Sequence, residues 1–335
     1  MEEERLIVLR LLEEGKVTAE EAAELLQALE AVHAAPVPPS PPPAEAAAAA
    51  AASIRVPLLD GIERLFESLG GVFGETHRFE TTIEGVFTTG DRPARVVLQS
   101  FNGRVEVRGW DRPDYRLELV KHVRARNEET ARRLAEAVGR VTRGDEFLAV
   151  ESDRQVSGGM KVTCWLPQGI SYELDARSSN GRILVADLQA ERMRLFTSNG
   201  RIEVVGGRCR DAELETSNGR IVVAGPAGRL AARTSNGRIE VTPPGGAGAG
   251  TWDLQTNNGP VVVGLAPGAP VRLDLATHLG RIHLDAGELR FEVNEKGIHS
   301  RVIGATPGCD RGSGVELRVR TANGSIRVEA VGSGA

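Results

Sequence analysis

One short motif, Thr/Ser-x-Asn-Gly-Arg-Ile-x-Val, recurs along the chain and constrains its fold more than any other feature. Asn180, Asn199, Asn218, Asn236 and Asn258 are followed by Gly181, Gly200, Gly219, Gly237 and Gly259, at spacings of 19, 19, 18 and 22 residues. Leu279-Gly280-Arg281-Ile282 continues the series with Leu in place of Asn, and Asn323-Gly324-Ser325-Ile326 closes it. Asn102-Gly103-Arg104-Val105 is an earlier copy, and Lys296-Gly297 reads as a degenerate turn ahead of a Gly-rich insertion. A fixed period of this length means a stack of units that bury apolar surface only against their neighbours.

The residues around each turn alternate with period two. Met193/Leu195, Ala212/Leu214, Leu230/Ala232, Trp252/Leu254 and Leu273/Leu275 lead in, and Ile202/Val204, Ile221/Val223, Ile239/Val241 and Ile282/Leu284 lead out. Charged residues such as Arg194, Glu213, Arg233, Glu203 and Glu240 take the intervening positions, so one strand face is expected inside and one outside. Thr197, Thr216, Thr234, Thr256, Thr277 and Thr321 fall on the inner face by the same count. Each lies an odd number of residues before the next inner Ile or Val, which requires a corner between them. Asn-Gly supplies one if both residues take positive φ. The 39 glycines and 4% aromatic residues suit short strands and tight turns.

Two mainly-β architectures fit. The favoured one is a parallel β-solenoid, or β-helix, of roughly 20-residue coils, because a second set of bends recurs at Gly206-Gly207, Gly225-Pro226 and Pro267-Gly268. The alternative is an antiparallel meander, since Asn-Gly is also the strongest two-residue hairpin signal. A helix is expected over 127–139, with Asn127 as N-cap, between strands near 115–124 and 146–151.

Four regions are expected. Residues 1–32 read as an α-hairpin, with Leu6 and Leu9 on the first helix and Leu25, Leu26 and Leu29 on the second. So short a unit needs a partner, so these leucines are candidate oligomerisation residues, through self-association or another protein. Residues 33–53 form an Ala/Pro linker, 54–77 an amphipathic helix, and 78–332 the β-repeat domain.

Three features resemble a bacterial adhesin-like β-repeat family of the YvlB/LiaX kind. They are Leu12-Glu13-Glu14-Gly15-Lys16-Val17-Thr18-Ala19-Glu20-Glu21-Ala22, similar to a SHOCT-like N-terminal segment, the strand–helix–strand at 115–151, and Leu166-Pro167-Gln168-Gly169-Ile170 leading into the repeats. The resemblance implies a β-helical stack, a link to cell-envelope stress, and no catalytic residues to carry over.

Chemistry is sparse in the sequence. The net charge of −5 gives no basic stripe for nucleic acid. Cys164, Cys209 and Cys309 are scattered and expected to be free thiols. Acidic residues alternate with arginines rather than pairing as an acid and a base, so a carbohydrate-active β-helix enzyme is the remote reading. His278 and His283 flank one turn and His299 lies about one coil later, but isolated polar histidines are the expectation, and no cofactor or metal is assigned. The N-terminus lacks a signal-peptide pattern, so a cytoplasmic location, peripheral to the membrane, is expected; a cell-surface location by another export route is the alternative.

One feature suggests binding. Arg104, Arg182, Arg201, Arg220, Arg238 and Arg281 occupy equivalent positions and should form a column along one edge. Such a column suits an anionic membrane surface or envelope component. Glu106, Glu203 and Glu240 lie two residues beyond three of these arginines and would instead neutralise it. The expected class is a non-enzymatic binding or scaffold protein, with a filament-forming stack as the alternative.

Overall fold

A computed structural model of the protein describes residues 75–330 except 91, 153–157, 226, 243–249, 286 and 310–313. The hairpin, the linker and most of the amphipathic segment, including Leu6, Leu9, Leu25, Leu26 and Leu29, lie outside the described residues.

The chain enters through β1 (Glu75–Val86), β2 (Ala94–Ser100), β3 (Val105–Trp110) and β4 (Asp114–Ala125), so strand structure already covers 75–77. The helix α1 (Glu128–Val138) follows, then β5 (Arg140–Gly144), β6 (Phe147–Glu151) and β7 (Gly158–Pro167). The repeats then run as pairs of one longer and one shorter strand. They are β8 (Tyr172–Ser178) with β9 (Ile183–Ala186), β10 (Gln189–Thr197) with β11 (Ile202–Val205), and β12 (Arg208–Asn218) with β13 (Ile221–Ala224). Next come β14 (Ala227–Asn236) with β15 (Ile239–Val241), β16 (Gly250–Asn258) with β17 (Val261–Leu265), and β18 (Val271–Leu279) with β19 (Ile282–Asp285). After β20 (Arg290–Glu295) and β21 (Ser300–Ala305), the last pair is β22 (Val315–Asn323) with β23 (Ile326–Ala330).

The two strands of a pair lie in different sheets. The longer strand of each pair lies in a twelve-stranded sheet and the shorter one in an eleven-stranded sheet, which also holds β1, β4 and β7. Each repeat strand pairs in parallel with the equivalent strand of the next coil, as in Leu195↔Leu214 and Ile202↔Ile221. The strands flanking Asn199-Gly200 therefore do not pair with each other, which excludes the antiparallel meander for these repeats. A Gly206-Gly207 bend, both residues at φ 65°, returns the chain from β11 to the longer-strand sheet.

Alternation places the core as expected. Met193, Leu195, Leu214, Leu230, Trp252, Leu254 and Leu273 are buried from one sheet, and Ile202, Ile221, Ile239, Val261 and Ile326 from the other, in one continuous cluster. Equivalent residues fall at the same height, so the core is a set of repeated layers.

Stack order departs from chain order at both ends. β2 and β3 lie directly against β8 and β9, with 114–167 added beyond them. At the other end β22 and β23 sit between β16–β17 and β18–β19. The series expected to run from Asn258 to Leu279 to Asn323 thus runs Asn258, Asn323, Leu279 in space. Lys296-Gly297 is not a degenerate coil corner. It joins β20 to β21 as an antiparallel hairpin, and β21 pairs antiparallel with β18.

The helix forms for local reasons. Asn127 accepts from the Thr130 amide at 2.8 Å, and Ala131, Ala135 and Val138 are buried. Its end is held by Lys121, whose Nζ donates to the carbonyls of Ala135 and Gly139, each at 2.8 Å. Burial lowers the Lys121 pKa, partly opposed by Glu136. The β5 strand beside β6 was not evident in the sequence.

Candidate binding surface

The corners are built from three ladders. In the first, Asn180 donates to Asn102, Asn199 to Asn180, Asn218 to Asn199, Asn236 to Asn218, Asn258 to Asn236 and Asn323 to Asn258, all at 2.8–2.9 Å between side-chain amides. Leu279, next beyond Asn323, ends this ladder. In the second, Thr197, Thr216, Thr234, Thr256 and Thr321 donate from Oγ1 to the carbonyls of Gly181, Gly200, Gly219, Gly237 and Gly259, at 3.0–3.2 Å. Thr277 does the same to Gly324 at 2.8 Å. The inner hydroxyls are thereby satisfied where water cannot reach them.

The third ladder is the glycine column, and here the expected reason for glycine is wrong. Neither the corner asparagines nor most of the corner glycines have left-handed φ; Gly259, at 155°, is the exception. What excludes a side chain is the next coil. A Cβ on Gly219 would lie 1.8 Å from the Gly200 carbonyl oxygen, and one on Gly237 would lie 1.9 Å from that of Gly219. Gly103, Gly181, Gly200 and Gly324 meet the same obstacle.

Beside the corners runs the arginine column. The amides of Val105, Ile183, Ile202 and Ile221 donate to the carbonyls of Arg182, Arg201, Arg220 and Arg238, and Val162 donates to Arg104. Five arginines therefore stand in consecutive coils, about 4.8 Å apart along the stack. Pro260 and Ser325 occupy the next two positions, so Arg281 is separated from the row rather than continuing it.

The carboxylates are interleaved. Arg182 and Arg201 share Glu203, the latter at 2.6 Å, and Arg220 and Arg238 share Glu240, the latter at 2.9 Å. Arg108 binds Glu106. Glu203 and Glu106 are on the outer face yet buried, because the guanidinium groups cover them. Burial works to raise the Glu240 pKa, but hydrogen bonds from Arg220 and Arg238 overcome it and hold the carboxyl below its ordinary range. The Arg182 pKa is pulled down by burial and by the charges of Arg104 and Arg201. Among the described residues Arg104 and Arg281 have no ion-pair partner. Neutralisation in place is thus real, and it is incomplete.

Charge also alternates across the longer-strand sheet. Arg194 approaches Glu213, and Arg233 bridges Glu213 and Asp253, at 3.6–3.9 Å. Asp274 accepts from Arg320 at 2.6 Å.

An aromatic cluster escaped the sequence reading. Trp110 and Trp165 stack at 6.1 Å, with Arg112 lying 4.5 Å over Trp110 and Arg116 5.8 Å over Trp165. The available signal was that two of the three tryptophans fall at outward positions of strands flanking the inserted segment. Both arginines are held by carboxylates, Asp114 and Glu118, so the cluster is a stabilised stack in its own right. His278 and His299 also come together, whereas His283 lies on β19 in the other sheet. Cys164 and Cys209 are buried free thiols; burial pushes the Cys164 pKa up to about 12. No helix among the described residues is long and apolar enough to cross a membrane.

No protein-family model matches the chain, and no curated protein does. Among solved structures it is similar to a putative adhesin from Bacteroides fragilis, 12% identical, over 75% of this chain and 97% of that one, with a TM-score of 0.38. A putative cell adhesion protein from Clostridium sporogenes is 11% identical over 76% and 100%, with a TM-score of 0.35. A putative adhesin from Parabacteroides distasonis is 9% identical over 76% and 97%, with a TM-score of 0.36. Likeness at this level carries no argument about function.

Proposed function

We propose that the two-sheet stack is a parallel β-solenoid and that the chain is a non-enzymatic binding or scaffold protein which meets an anionic surface through its arginine row. The observation that supports this is the imbalance within the row. Arg108, Arg182, Arg201, Arg220 and Arg238 share three carboxylates, Glu106, Glu203 and Glu240, and Arg104 stands in the same row without an ion-pair partner among the described residues. The carboxylates lie beneath and the half-exposed guanidinium groups above, so the excess positive charge faces outward, although the Nε atoms of Arg182 and Arg220 are themselves buried. Arg suits carboxylate and phosphate because its donors form a fixed planar fork.

The resemblance in sequence supports a role in the cell-envelope stress response or in surface interaction, with the 1–32 hairpin recruiting a second copy or another protein. A cytoplasmic, membrane-peripheral location fits that role. The filament reading is less favoured, because α1 packs against β4 at one end and Leu279 stops the amide ladder at the other.

Vesicle co-sedimentation tests the reading. The native chain should bind vesicles containing anionic phospholipid and lose binding as salt rises, since screening acts over about 8 Å at 0.15 M. Replacing Arg182, Arg201, Arg220 and Arg238 together by Gln should abolish binding, while Arg290→Gln, on the exposed β20, should not. A native protein with no salt-sensitive binding to these vesicles would reduce the row to internal ion pairing.

A further inference from the structure

We propose that His278 and His299 form a two-imidazole site for a divalent transition cation of the zinc and copper class. Their ring centroids are 4.0 Å apart with the planes at 71°. The contact is built into the strand register. β18 and β21 pair antiparallel up to Thr277↔Ser300; His278 is the next residue on β18, and His299 immediately precedes β21 in the bend that leads into it. Cross-strand neighbours point to the same face. Since Thr277 and Ser300 are buried, the two histidines lie on the outer side, where both are exposed.

A second observation, internal to the repeats, points the same way. The position before the corner residue is Ser179, Ser198, Ser217 and Ser235 in four successive coils, then Asn257 and Ala322 in the next two along the stack. It becomes His278 in the coil against which the inserted β20–β21 hairpin docks, and that hairpin brings His299. Two departures from the repeat, on separate segments, therefore meet at one point. Their neighbours Leu279 and Ile298 are exposed, so the site stands open at the end of the stack.

The chemistry follows from the ligands. Neutral imidazole nitrogen is a preferred donor for zinc and copper and a poor one for magnesium. No group of three or more His, Cys, Asp or Glu suited to a metal occurs among the described residues, so water completes the coordination shell. Both rings turn about their own side-chain bonds to aim one nitrogen each at a shared ion, and no core residue moves.

The test is isothermal titration of zinc chloride into the full chain, carrying no histidine tag. One zinc per chain should bind, copper(II) more tightly than zinc, and magnesium not at all. His278→Ala and His299→Ala should each weaken zinc by more than about tenfold, the scale at which even outer-shell losses register. His283→Ala should leave it unchanged. Circular dichroism of the variants should match the native chain, since both side chains are exposed. Absence of zinc binding to the native chain, or undiminished binding by the His278/His299 double variant, would overturn the proposal.

Discussion

The side-chain amide of Asn323 donates to that of Asn258 at 2.8 Å across 65 residues of chain. The last coil in the sequence is therefore the next neighbour of β16–β17, and β18 is separated from β16 by β22. This intercalation places β22–β23 between β16–β17 and β18–β19. The entropic cost is modest, because loop closure grows only with the logarithm of loop length. In return β18 gains partners on both edges, β22 in parallel and β21 antiparallel. The corresponding edge of the other sheet, β19, has a partner only in β23 among the described residues, and its Ile282 and Leu284 are partly buried.

Gly219→Ala should be severely destabilising although alanine is a small residue. Its Cβ would meet the Gly200 carbonyl oxygen at 1.8 Å, and relief would require the coils to separate or shift. Overpacking of this kind costs about 1–3 kcal/mol or more. Gly169→Ala, where nothing lies within 4 Å, should be close to neutral. Urea denaturation of the two variants measures the difference. Equal midpoints would show that the corner glycines serve turn conformation rather than close stacking.

Adjacent residues at one corner should behave in opposite ways. Ile221 is fully buried, and Ile221→Asp would place an unpaired carboxylate in the core at a cost of several kcal/mol. Arg220→Ala removes a half-exposed partner of Glu240 and leaves Arg238 in place, which should cost about 0–1 kcal/mol. Thermal melts of both variants decide this, and similar shifts would contradict the inner and outer faces assigned here.

The parts of this fold that recur were legible in the sequence. Alternation at Met193/Leu195 and Ile202/Val204 showed which face is buried, and the repeated Thr/Ser-x-Asn-Gly phase placed Thr above Thr and Asn above Asn in most coils. The intercalation of β22–β23 was not legible, because Asn323 carries the same local signal wherever its coil inserts. The role of the corner glycines was misread for a related reason. Positive φ is a property of one residue, whereas the obstructing Gly200 carbonyl belongs to another coil. The arginines from Arg104 to Arg238 follow the repeat phase into consecutive coils, whereas the break at Pro260 and Ser325 depends on stack order. Trp110 and Trp165 lie 55 positions apart, and only the β3–β7 pairing brings them together.

Acid should weaken the protein through its shared carboxylates. The Glu240 and Asp274 carboxyls are both held below their ordinary values of 4.5 and 3.8. For each, burial acts in the opposite direction, and hydrogen bonds from Arg220 and Arg238, or from Arg320, prevail. A carboxyl whose pKa is lower folded than unfolded binds protons preferentially in the unfolded chain. Its stabilising contribution is complete above the ordinary carboxylate range and is lost as pH falls through the depressed folded value. Stability should therefore stay level from neutral pH down to about 5 and fall steeply below about 4. Glu240→Gln and Asp274→Asn should be less stable than the native chain at pH 7 and should approach it at pH 3. Urea midpoints at the two pH values measure this, and a variant deficit that stayed constant or widened in acid would show that these ion pairs do not carry the acid response.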